Sequence, residues 1–134
     1  MSDKLLTKDN PRVVVIQKLY AYHLNKETEI TFPKHRYKKF IKDVVNGTIE
    51  RKELIQELID EELKEDININ RTDLLIKLII EAAIYEFMYM HKTPVKVVIS
   101  EYLKASDFFV DGPQKKFLNA VLDKISRLSR VENV

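Results

Sequence analysis

The stretch Leu74–Met90, LLIKLIIEAAIYEFMYM, is apolar at almost every position, with only Lys77, Glu81 and Glu86 charged. No single stripe can be drawn on it, and a helix apolar all round lies at the centre of a domain. It is too short and too charged to cross a membrane, which takes about 20 mainly apolar residues. After a break at His91 to Thr93, Pro94 fits a first helical turn, where a missing N–H is no loss. From there Val95, Val98, Ile99, Tyr102, Leu103 and Ala105 recur at threes and fours, so a second helix packs one face on the central one. Glu86, between Tyr85 and Phe87, is expected to be partly buried. A buried carboxylate needs a partner, and the N–H groups at the Pro94 helix start are a nearby supply.

Working outward, Asn10-Pro11 reads as a cap and a first-turn proline for a helix running to about Asn25. Its docking side carries Ile16, Leu19, Tyr20 and His23, with Arg12 and Lys18 left in water. A second helix is expected from about Pro33 to Val45, ended by Asn46-Gly47. A third runs from Thr48 to about Leu63 with a stripe of Leu54, Ile55, Leu58, Ile59 and Leu63 and acids largely off it. Asp66 to Asn70 connects it to the central helix, which Asn70 or Thr72 can cap. Asp111-Gly112-Pro113 is a turn that starts the last helix near Pro113, with Leu118, Val121, Leu122, Ile125 and Leu128 inward. Six helices with short connections make an all-α globule. The 134 residues are read as one domain, with residues 1–9 frayed.

The chain has no cysteine, so no disulfide, thiolate metal site or cysteine nucleophile can form. With no apolar leader in MSDKLLTKDNPR, a cytoplasmic location is expected and no membrane partner. His23, His35 and His91 are scattered, and no HExxH, phosphate-cradling glycine loop or nucleophile motif occurs. Catalysis, metal and cofactor are therefore not expected. The net charge of +2 conceals an asymmetry. Residues 1–43 hold 10 Lys and Arg against 5 Asp and Glu, residues 44–86 hold 5 against 11, and residues 87–134 hold 8 against 5. Basic ends suit a nucleic acid and an acidic middle suits a basic protein, although uneven solvated faces would look the same.

Three groups of cations stand out. Lys8 and Arg12 sit at the start of the first helix, where the dipole favours anions, so a phosphate partner would explain them. Lys34, His35, Arg36, Lys38 and Lys39 crowd the start of the second, with Tyr37 and Phe40 between them. They form either a solvated face whose rings enter the core or an RNA-facing patch. Lys115 and Lys116 precede Phe117, which can be a buried anchor or a base-stacking platform.

The blocks IQKLYAYHL (16–24), AAIYEF (82–87), TPVKVVISEYLKAS (93–106) and KFLNAVLDKISR (116–127), in this order and spacing, resemble the bacterial transcription antitermination factor NusB family. The resemblance covers nearly the whole chain and implies two packed three-helix bundles in one domain. It also implies binding to the boxA RNA of ribosomal RNA operon leaders, together with ribosomal protein NusE. The complex acts within the RNA polymerase antitermination assembly and carries no catalytic activity of its own. Arg12 matches the last residue of the family's arginine-rich start, Tyr20 its LY tyrosine and Phe117 the aromatic of its KF block. These three become RNA-contact candidates, with Lys115 and Lys116 serving phosphates. Elsewhere the chain departs: Lys8-Asp9-Asn10-Pro11 replaces consecutive arginines, and Glu81 stands where arginine is common. The thinned arginine run keeps a second reading open, a helical interaction scaffold that has lost boxA. A homodimer is a further open state.

Overall fold

The computed structural model describes residues 9–65 and 73–131. Among them the chain forms six helices: α1 (Pro11–Leu24), α2 (Lys38–Glu50), α3 (Lys52–Glu62), α4 (Leu74–Tyr89), α5 (Val95–Ser106) and α6 (Gly112–Val131). The connection at 66–70, the caps at Asn70 and Thr72, and Lys8 lie outside the described residues. Helix α4 touches all five others. It is the shared wall between α1 to α3 on one side and α5 and α6 on the other. Its near-continuous apolar sequence follows from that position: Ile76, Leu78, Ile79, Ile80, Ala82, Ala83, Ile84 and Phe87 are all buried. Each large aliphatic or phenyl side chain so buried contributes about 1.5–3 kcal/mol before chain entropy is counted. Leu118, Val121, Leu122 and Ile125 of α6 close the core from the opposite side, as their spacing requires.

The caps show why the helices start where they do. The Asn10 side chain accepts hydrogen bonds from the backbone N–H groups of Arg12 and Val13 at 3.0 and 3.3 Å. Asp73 caps α4 and accepts from the Leu75 N–H at 2.8 Å. At α6, Asp111 accepts from the Gln114 N–H at 2.9 Å while its own N–H donates to Gln114 Oε1 at 3.1 Å. That reciprocal pair is a capping box.

Two expected boundaries change. Helix α2 begins at Lys38, not Pro33, because the His35 ring Nδ1 takes the Tyr37 N–H at 2.9 Å and its carbonyl takes the Lys38 N–H at 3.2 Å. The side chain thus holds a local turn that competes with helix. The helix also runs through Asn46-Gly47 to Glu50, and Gly47 is no terminator. A Cβ built on Gly47 would lie 2.2 Å from the Tyr85 ring, so glycine lets α2 cross α4 closely. Arg51 then separates α2 from α3, whose stripe narrows to Ile55, Ile59 and the following Leu63, with Leu54 46% exposed. On α1, Arg12, Val13, Val15, Ile16 and Leu19 are buried whereas Tyr20 and His23 are exposed. Its last turn is left largely outside the packing.

Beside α3, Glu81 of α4 is partly buried near Lys52 and Lys77. Burial raises its pKa, and the two lysines pull it back only in part. A carboxyl with a raised folded pKa adds stability below its unfolded pKa and loses it as pH rises through the folded value. Thermal melts should therefore show Glu81→Gln raising Tm at neutral pH, with the gain vanishing once the pH falls below the carboxylate range. An unchanged Tm at neutral pH would contradict the shift.

Candidate nucleic-acid interface

The first candidate, Arg12, has its guanidinium turned inward. Its Nη2 donates to Glu86 Oε1 at 2.6 Å and its Nε to Glu86 Oε2 at 3.1 Å, a fork that ties α1 to α4. Arg12 is 8% exposed and Glu86 0%. The same guanidinium lies 4.8 Å from the Phe40 ring centre and 5.3 Å from that of Tyr102, bringing α2 and α5 into the cluster. Burial works against the Arg12 charge, but Glu86 and its neighbours outweigh it and the pKa is raised. Tyr102 is held well above the usual phenol range by burial first and the Glu86 charge second. Its hydroxyl is buried with no well-formed hydrogen bond among the described residues.

Two expectations are corrected here. Glu86, for which the helix start at Pro94 was the expected partner, is paired with Arg12. Arg12, expected to be left in water, is buried and paired, and so forms a joint between the two halves of the fold.

A cleft of about 710 Å³ opens above this joint, between the starts of α1 and α2 and one side of α5. Tyr37, Val97 and Phe108 line it and are 45%, 43% and 38% exposed. Phe40 forms a deeper part of its wall. The Arg36 guanidinium stacks 5.6 Å from the Tyr37 ring centre. Lys104 also lines the cleft, 3.6 Å from Glu101, and Lys115 pairs at 2.8 Å with Asp107, the residue before Phe108. Such surface pairs are worth little and can be exchanged for a ligand. Asp9 and Glu101 oppose an anion there, and these cations offset them.

The remaining candidates are distributed unevenly. Lys34 and Lys38 line a neighbouring cleft. Lys39 is exposed and pairs with Asp43 at 3.1 Å. Lys116 is exposed, and Phe117 is half-buried against the core. Tyr20 is 38% exposed on α1. The rings that line the cleft are thus Tyr37, Phe40 and Phe108, and Tyr20 and Phe117 are not among its lining residues. Phe108, Val97 and Lys104 were not singled out from sequence; the available signal was the Phe108-Phe109 pair, of which both cannot point inward at a helix end. Among the described residues no group of three or more His, Asp or Glu could hold a metal ion, and no helix is long and apolar enough to cross a membrane.

The family model described as NusB matches residues 9–127. The Mesorhizobium japonicum transcription antitermination protein NusB is 30% identical over 84% of this chain and 72% of its own length. The Bradyrhizobium diazoefficiens protein of the same name is 34% identical over 68% of this chain, a match spanning only 55% of that relative. Among solved structures, T. maritima NusB superposes with a TM-score of 0.77 over 90% of both chains at 20% identity, a likeness of fold. The match through nearly the whole helical core, together with this shared all-α architecture, places the chain in the NusB family of transcription antitermination proteins.

Proposed function

We propose that this protein is a cytoplasmic, non-catalytic antitermination factor that binds single-stranded boxA RNA of ribosomal RNA operon leaders together with ribosomal protein NusE. In this reading it joins the RNA polymerase complex that reads through terminators. The observation that carries it is the cleft in which Tyr37 and Phe108 are exposed while Arg36, Lys104 and Lys115 stand near them. Single strands are commonly held by aromatic faces plus phosphate contacts, and every base offers a face to stack. The acidic surface of α3, where Glu53, Glu57, Asp60 and Glu61 are exposed, suits the basic protein partner.

A second reading, an interaction scaffold that binds RNA weakly, is favoured by the engagement of Arg12 with Glu86. Filter binding of boxA and scrambled RNA across a salt series, with and without NusE, separates the two. The expected result is a preference for boxA, with Tyr37→Ala and Phe108→Ala each weakening it about tenfold. Both residues are substantially exposed, so the thermal transition should move little. Equal binding of both RNAs, or no response to either substitution, would favour the scaffold.

A further inference from the structure

We propose that a second cleft, between α1, the connector at 32–35 and α2, takes the base of one unpaired nucleotide from the same RNA strand. Lys18, Lys34 and Lys38 then hold the flanking phosphates. This inference rests on the RNA reading above and adds a subsite to it. The cleft measures about 380 Å³, within the usual size range for small-molecule sites. Val14, Phe32 and Ile41 supply an apolar floor, and no carboxylate is among the lining residues.

The lysines at its rim differ from three other lysines near the interface. Lys39, Lys104 and Lys115 each pair with an aspartate or glutamate. Lys18, Lys34 and Lys38 converge on one apolar cleft without an ion pair to any described residue. Three like charges brought together repel, and nothing in the cleft offsets that repulsion. An anion carrying a flat apolar face would do so. A nucleotide within a strand has that chemistry: the base covers the floor and phosphates meet ammonium groups, which serve them as point charges.

Position selects a strand over an isolated anion. Tyr37 lines the aromatic cleft and Lys38, the next residue, lines this one. The two clefts therefore open on either side of the start of α2. A strand stacked on Tyr37 needs only to pass over that helix start to place a following base in the second cleft.

Fluorescence anisotropy on the full chain tests this with boxA RNA alone and with the same RNA extended at both ends. The wild type should bind the extended RNA about tenfold more tightly, with a salt slope steeper by about 2, as expected for about three added phosphate contacts. The Lys18→Ala/Lys34→Ala/Lys38→Ala variant should lose both gains while binding the short RNA as the wild type does. Pro33→Asp, which places a carboxylate at the same cleft, should weaken the extended RNA in the same way. An unchanged melting temperature in both variants serves as the folding control. Equal binding of short and extended RNA by the wild type overturns the subsite and leaves the RNA reading standing. So does an unaffected triple variant. Failure of the wild type to bind either RNA even with NusE added overturns the RNA reading itself. Tighter binding of a labelled acidic peptide bearing a phenylalanine, abolished in the triple variant, assigns the cleft to protein and overturns the proposal.

Discussion

Glu86→Ala lowers the unfolding free energy by about 3–5 kcal/mol, read from urea denaturation followed by circular dichroism. The size follows from what remains: Arg12, 8% exposed, keeps its charge among Phe40, Tyr102 and the α1–α4 packing with its hydrogen-bonded carboxylate gone and only the weaker influence of the Glu101 charge left. A buried cation without a partner costs far more than a surface ion pair is worth. The double variant Arg12→Met/Glu86→Leu should recover most of the loss, because two apolar side chains of similar length need no charge compensation there. Were Glu86→Ala to cost under about 1 kcal/mol, the guanidinium would have found water, and the buried joint would be wrong. The double variant has a second use. If Arg12 serves only the fold, its replacement together with Glu86 leaves RNA affinity nearly unchanged, whereas a phosphate contact would be lost with it.

Gly47→Ala is expected to destabilise by about 1–3 kcal/mol, towards the lower end because alanine favours a helix over glycine by about 1 kcal/mol. The new methyl would sit 2.2 Å from Cε1 and Cζ of Tyr85. That ring borders an open cleft and can swing, but doing so parts it from Tyr89, 5.2 Å away, and from the Arg51 guanidinium, 5.8 Å away, with Arg51 in turn 4.3 Å from Tyr89. Displacing Tyr85 therefore disturbs a stack that joins the α2–α3 corner to the end of α4. Tyr85→Leu introduced beside Gly47→Ala should relieve the clash, so the pair together should cost less than the sum of the two single changes. Additive losses in a double-mutant cycle would show that the helices do not meet at this point.

The helical class, the central place of α4, the inward face of α6 and the cap at Asn10 were legible in the sequence. Each rests on a local or periodic pattern: apolar residues all round a helix, apolar residues at threes and fours, or a side chain that reaches two residues on. The ends of α2 were not legible in the same way. The His35 ring substitutes for a backbone acceptor at one end, and Gly47 at the other answers to Tyr85, 38 positions away. Read locally, Asn46-Gly47 is a terminator, and only the approach of α4 shows that the missing side chain is there to make room.

The candidate interface divides along the same line. Sequence alone determined that cations gather at the starts of α1 and α2, that rings alternate with them at 36–40, and that the middle of the chain is acidic. It also determined the family, through blocks whose order and spacing resemble NusB. Which cations face solvent was decided by tertiary packing, because burial depends on the element that arrives opposite. Glu86 comes from 74 residues downstream to engage Arg12, while Phe108 and Tyr37 meet across one cleft from different helices. A charge on a helix can be read from its neighbours in the chain, but its availability depends on partners that only the folded packing brings within reach.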